Sequence, residues 1–125
     1  MEKVAEDALA IIREAVSTLP LVTEKLSHGE PTWFVDGKKS FAMFCNYHHG
    51  LRLGLWLAAP SGVQEMLIQS DGEKFYRPPY VGPRGWVGIN LDIEVASDEL
   101  TGLLREAYQT VAPPKYLKML EPTSD

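Results

Sequence analysis

The sequence predicts a two-layer α+β sandwich: an antiparallel sheet of about five strands, with N- and C-terminal helices packed on one face. Three observations carry this. Apolar residues at helical spacing mark both ends of the chain, Val4, Ala8, Ile11, Ile12, Ala15 and Leu19 at one, Leu100, Leu103, Leu104, Ala107, Tyr108 and Val111 at the other. Between them Leu51, Leu53, Leu55 and Leu57 alternate with Arg52, Gly54 and Trp56, the period of a strand with one face in a core. The turn signals Asp36-Gly37 and His48-His49-Gly50 separate apolar runs by too few residues for a crossover, so successive strands pair antiparallel.

The elements follow in order. A helix is expected from about residue 2 to 18, stopped near Pro20. Residues 20–31 read as irregular and closed by Pro31, which places Ser27-His28-Gly29-Glu30 on a loop. Thr32–Val35 reads as a strand, Asp36-Gly37 as a two-residue turn with positive φ at both positions, and Lys38–Tyr47 as the returning strand. Strict alternation there puts Phe41, Met43, Cys45 and Tyr47 on the inner face and Ala42, Phe44 and Asn46 on the other. After the leucine strand, Pro60 and a Ser61-x-x-Gln64 capping box introduce a short helix to about Ile68. Lys74–Arg77 is a short strand halted by Pro78-Pro79. Tyr80–Gly85 is a loop of breakers, and Trp86–Leu91 is the last strand. Ser97 is expected to cap the closing helix, with Asp98 and Glu99 facing its positive end. Pro113-Pro114 breaks that helix, Tyr116–Leu120 adds a turn, and residues 119–125 fray.

At 125 residues the chain reads as one domain, 1–125, long enough to bury a core without staples. No apolar run approaches the roughly 18 residues of a membrane span. The acidic start (Glu2, Glu6, Asp7) reads as neither signal nor transit peptide. A lone Cys45 excludes an internal disulfide and fits a reducing cytoplasm, the expected location. Net charge is −5, unevenly spread. Residues 1–37 and 91–125 carry −4 each, whereas 38–90 carry +3 from Lys38, Lys39, Arg52, Lys74, Arg77 and Arg84. An acidic protein is repelled by nucleic acid at long range, and only a local basic face overcomes that.

Ser27-His28-Gly29-Glu30-Pro31, then Trp33-Phe34-Val35-Asp36-Gly37-Lys38 and Phe41-Ala42, resemble the MmcQ/YjbR family of small bacterial proteins. Tyr80-Val81-Gly82-Pro83, Gly85-Trp86-Val87, Leu91-Asp92 and Val111-Ala112-Pro113 agree with it, so the resemblance spans about residues 7 to 118. It implies a frataxin-like (CyaY-like) fold with helices on one side of an antiparallel sheet. It also implies DNA binding, a description given to members by analogy with winged hairpins. It carries over no catalytic residue.

Two binding readings emerge. The first is a non-catalytic DNA-binding protein that contacts phosphates through Lys38 and Lys39 at a hairpin tip, with Arg52, Lys74, Arg77 and Arg84. The alternative is a small-molecule or protein-binding module. Its pocket candidates are His28, Glu30, Trp33, Trp56, Tyr80 and Trp86, with the loop 78–85 as rim. Other chemistries have weaker support. His28 and Glu30 flank Gly29 as an acid–base pair would, but the bland reading is a turn held by backbone bonds. No His-Glu-x-x-His, cysteine pair, Gly-x-Ser-x-Gly or dinucleotide loop occurs. Glu2, Glu6, Asp7 and Glu14 read as a solvated face. No catalytic residue, metal or cofactor is assigned.

Overall fold

The structure, a computed structural model, describes residues 2–47 and 50–120. Helix α1 (Lys3–Val16) forms where expected, but its buried stripe is rotated. Ala5, Ala8, Leu9, Ile12, Ala15 and Val16 are buried, whereas Val4 and Ile11 face solvent. The helix has apolar residues on more than one side, and its packing on the C-terminal helix selects among them.

Residues 20–31 depart from the sequence reading. They hold strand β1 (Val22–Ser27), which turns directly into β2 (Glu30–Val35). Ser27 pairs with Glu30, so the connection is the two residues His28 and Gly29, with φ of 53° and 82°. Positive φ at both central residues is what matches a two-residue turn to the twist of its strands, and His is among the residues enriched there. Strand β1 escaped the reading because it is an edge. Only Val22 and Ser27 are even partly buried, so no apolar alternation marks it. The next turn departs in the other sense. Asp36 and Gly37 have the expected positive φ (53° and 68°), but Val35 pairs with Lys39, giving a loop of three residues.

Strands β3 (Lys39–Cys45) and β4 (Gly54–Leu57) are followed by α2 (Val63–Ser70), β5 (Phe75–Tyr76), β6 (Val87–Asn90), α3 (Ser97–Val111) and α4 (Pro114–Leu117). The sheet is antiparallel with six strands in the order β1-β2-β3-β4-β6-β5. The strand beyond the expected five is β1. The expected turn at His48-His49 lies outside the described residues. Of the tail expected to fray, Met119 and Leu120 sit in a 3-10 turn, and 121–125 lie outside the described residues.

Register explains which face is which. Glu24, Trp33, Ala42, Leu57 and Val87 form one row across the sheet, and Phe44, Leu55, Ile89 and Phe75 form another. Helix α1 reaches the first row through Arg13, whose Nε and Nη2 donate to Glu24 at 2.9 and 2.7 Å. Helix α3 reaches the same side through Tyr108, edge-on to Phe41 at 5.6 Å. The helices therefore cover the leucine face as expected. Leu53, Leu55 and Leu57 are wholly buried and Leu51 is half-buried, although only residues 54–57 are strand.

Strand β3 breaks the expected alternation. Trp33 pairs with Ala42 and Phe34 with Ser40, leaving Phe41 as the extra residue of a β-bulge. Phe41 and Ala42 both turn toward the helices, and the phase of the rest of the strand flips. Phe44, expected outside, joins the core; Met43 and Cys45, expected inside with Phe41, turn to the opposite face.

The expected helix caps are also corrected. Helix α2 starts after Gly62 (φ 87°) with no side-chain cap, because Gln64 is drawn away to carbonyls of another loop. Helix α3 starts after Ala96, and Ser97 is its first residue. Asp98 and Glu99 still face its positive end.

Glu24 generates a testable consequence. The hydrogen bond from Arg13 holds its carboxyl below the usual range, with help from Trp33, whose Nε1 donates to it at 3.1 Å. A lowered folded-state value stabilises above the unfolded value and loses that contribution as pH falls through the folded one. Stability should therefore decline below about pH 5, less steeply in Glu24→Gln. Glu24→Ala should cost about 1–3 kcal/mol because the buried indole N–H loses its acceptor. Urea unfolding at pH 7 and pH 3 reads both effects.

Candidate functional site

The sheet face away from the helices carries two rows. Lys25, Thr32, Met43, Trp56, Gly88 and Tyr76 cross all six strands in register. Cys45, Gly54 and Asn90 form the next row. Extending the Thr32–Met43 register by two residues brings Glu30 beside Cys45.

One end of the first row is closed by Tyr76. Its ring lies where a Cβ on Gly88 would have to be, and a Cβ on Gly54 would come within 2.7 Å of the Ile89 carbonyl and 2.9 Å of Tyr76 Oη. The two glycines are thus required by close approach. Tyr76 Oη accepts from Trp56 Nε1 at 2.9 Å. Burial pushes the Tyr76 phenol up to about 12, against the opposing pull of the indole N–H.

Beside this pair an apolar cleft of about 480 Å³ opens between the sheet and the loop that follows β5. Met43, Phe44 and Cys45 of β3 and Trp56 of β4 line it. His28 and Glu30 enter from the β1–β2 turn, and Tyr80 and Val81 come from the loop. Glu30 is 7% exposed, and its Oε2 accepts the backbone N–H of Asn46. His28 is exposed at the mouth. Tyr80 is 72% exposed and has φ of 63°, a left-handed conformation unusual for a bulky residue.

The loop bearing Tyr80 is anchored. Gln64 Nε2 donates to the carbonyls of Gly82 and Trp86. The Val81 N–H donates to the Pro79 carbonyl at 2.6 Å, and the Arg84 guanidinium lies 5.3 Å from the Trp86 ring. Of the segment 78–85, Tyr80 and Val81 line the cleft.

Of the pocket residues read from the sequence, His28, Glu30, Trp56 and Tyr80 come together. Trp33 does not: it belongs to the row beneath α1, is buried, and bonds to Glu24. Trp86 precedes Val87 of β6 and is buried under Arg84 outside the lining. Met43, Phe44, Cys45 and Val81 were missed. Met43 and Cys45 depend on the bulge at Phe41, which strict alternation does not reveal.

The six central bases do not converge. Lys38 stands on the β2–β3 loop and Lys39 opens β3, with Lys38 Nζ 3.8 Å from Asp36. A groove of about 370 Å³ separates them from Lys115 and Tyr116, and Tyr116 Oη donates to Asp36 at 2.8 Å. Arg52 lies at the opposite end of the β3–β4 pair, with Nε and Nη2 on the Asp92 carboxylate at 2.9 and 2.7 Å. Lys74 donates to both oxygens of Glu99 at 2.7 and 2.8 Å. Arg77 and Arg84 lie in the loop after β5. Among the described residues no group of three or more His, Cys, Asp or Glu is placed to hold a metal ion, and no helix is long and apolar enough to cross a membrane.

The chain matches the family model described as YjbR over residues 17–110. Its fold is similar to the crystal structure of Deinococcus radiodurans protein DR2400, with family-model domain DUF419. The TM-score is 0.71 at 20% identity, covering 90% of this chain and 86% of that one. At that identity the likeness is one of fold. No curated protein matches the chain.

Two outcomes test the closed end of the row. Gly88→Ala should destabilise by about 1–3 kcal/mol, because the Tyr76 ring has to move. Because burial raises the Tyr76 value, its stabilising contribution is complete below about pH 10 and is lost as pH rises toward 12. Tyr76→Phe should flatten the decline in stability over that window, measured by urea unfolding between pH 9 and 11.5.

Proposed function

This chain belongs to the YjbR family, and from that premise we propose that it is a non-catalytic binding protein that takes a small ligand in the cleft beneath Tyr80. One observation carries the reading: a buried carboxylate, Glu30, set in the wall of an otherwise apolar cleft of about 480 Å³. Small-ligand sites combine an apolar lining with a few convergent polar groups, at volumes of roughly 300–1,000 Å³. A carboxylate taken out of water is costly unless something bonds to it, and the Asn46 N–H is one such bond. The cleft is built on strands, so its floor is fixed before a ligand arrives. Glu30 and His28 act here as recognition groups, Glu30 from a backbone-bonded position on β2 and His28 from the exposed turn.

Phosphate-driven DNA binding is the second reading. It draws on Lys38 and Lys39, exposed at a hairpin tip with Lys115 across the adjoining groove. It has less support because Arg52 and Lys74 are engaged by Asp92 and Glu99 and the chain carries −5 overall.

A fragment screen followed by amide and indole shifts of labelled protein tests the first reading. Binders should perturb Met43, Cys45 and the Trp56 indole, and Met43→Trp, which fills the cleft, should abolish their binding. A screen whose binders all map elsewhere would overturn it. Duplex DNA titrated at two salt concentrations tests the second reading. Phosphate contacts require affinity to fall steeply with salt and to fall again, at least tenfold, in Lys38→Glu/Lys39→Glu. Absence of binding at low salt removes the DNA reading.

A further inference from the structure

We infer that the groove between the β2–β3 hairpin tip and the α3–α4 junction is a second binding site, for a small phosphate monoester carried on an apolar body. It shares no lining residue with the cleft beneath Tyr80, so it stands whether or not that cleft takes a ligand. Charge sets the class. Lys38 and Lys39 border the groove on the hairpin side and Lys115 on the α4 side, all three exposed. Asp36 is the one acid among the described lining residues, so three ammonium groups against one carboxylate leave a net +2. Lys38 Nζ lies 3.8 Å from Asp36, and Tyr116 Oη donates to the same carboxylate at 2.8 Å, so the acid is answered within the groove. The ion pairs of the described residues include neither Lys39 nor Lys115. A phosphate monoester carries about −1.5 to −2 at neutral pH and matches that excess, whereas a carboxylate or a DNA phosphodiester carries a single negative charge. Lysine binds phosphate as a point charge, without the planar fork by which arginine recognises carboxylates.

The lining sets the apolar body. Val35, Ala112 and Tyr116 are buried residues of the groove, and Val111 and Pro113 continue an apolar surface between the lysines. Helix α3 ends at Val111 and α4 begins at Pro114, so the proline break turns the chain and brings Lys115 and Tyr116 back to the hairpin. The bond from Tyr116 to Asp36 ties α4 to the β2–β3 loop and fixes the distance between the two sides before a ligand arrives. Lys115 Nζ lies 5.0 Å from the Tyr116 ring, which favours an ammonium beside the apolar surface. A volume of about 370 Å³ suits one ring with its phosphate and is too small for a duplex. An apolar body on this surface gains the hydrophobic contribution that inorganic phosphate lacks.

The probes are phenyl phosphate, inorganic phosphate and benzoate, titrated at low salt and followed by protein amide shifts. Phenyl phosphate should shift Val111, Ala112 and Tyr116 and bind about fivefold more tightly than either of the others, which lack the body or the second charge. Lys39→Gln and Lys115→Gln should each weaken it about threefold to fivefold, the range of an exposed ion pair. Asp36→Asn keeps an acceptor for Tyr116 and suits the left-handed φ of 53°, and it should tighten phenyl phosphate about threefold. A gain in affinity cannot come from damage to the fold, and retention of the dispersed amide spectrum in the lysine variants separates loss of binding from loss of structure. Phenyl phosphate equal to benzoate or to inorganic phosphate would overturn the ligand class. Indifference to both lysine substitutions, or shifts confined to Met43 and Cys45 of the cleft, would overturn the site. Duplex DNA that shifts the groove amides where phenyl phosphate does not would overturn it in favour of the DNA reading.

Discussion

The bulge at Phe41 is the constraint on which both layers depend. One extra residue in β3 lets Phe41 and Ala42 point the same way, beneath the helices, and hands Met43 and Cys45 to the opposite face. The inner consequence is a contact that joins three parts of the chain. Phe41 meets Tyr108 of α3 edge-on, and Tyr108 Oη donates to the Pro20 carbonyl just after α1 at 2.6 Å. The outer consequence is the cleft floor. Without the bulge, alternation from Phe41 would place Met43 and Cys45 under the helices and turn Phe44 to the other face, away from the core its ring now fills.

The far edge of the sheet solves a different problem. Strand β5 has only two residues, too few to hold by ladder bonds alone. Tyr76 supplies the difference by lying across Gly88 and bonding to Trp56, and Lys74 ties the start of β5 to Glu99 of α3. From this anchored strand the loop crosses the open face and is pinned again by Gln64. The cleft is the part of that face which the loop does not cover. Its position follows from how short β5 is and where Gln64 stops the loop.

Legibility in the sequence tracks burial asymmetry. Helices α1 and α3 were visible because each has one buried side, and the leucine row because its leucines alternate with Arg52, Gly54 and Trp56, although β4 is buried on both faces. Strand β1 was invisible because an edge strand in water has no such side. Its middle, Glu24-Lys25, also resists pairing with a second copy. A symmetric antiparallel partner places same-face residues opposite one another, Glu24 on Glu24 or Lys25 on Lys25, and like charges there are unfavourable. The bulge was invisible because Phe41, Met43 and Cys45 make an unbroken apolar alternation whichever face they take. The cap at Ser61 failed because Gln64 is held by the carbonyls of Gly82 and Trp86, and the cap at Ser97 missed the helix start by one residue. In the cleft the aromatics and the His28–Glu30 pair stood out by residue type, whereas Met43 and Cys45 needed the phase.

The reading of Glu30 changes most between sequence and fold, and the change is physical. On a loop its carboxylate would be hydrated, and an exposed acceptor discriminates weakly among ligands because water competes at every lone pair. As the first residue of β2 it is fixed by two registers at once, Ser27 across one side and, through Thr32–Met43, Cys45 across the other. The His28-Gly29 turn makes this possible, since a longer connection would release Glu30 from the ladder. A single left-handed turn therefore converts an ordinary surface acid into a buried, positioned acceptor facing an apolar floor.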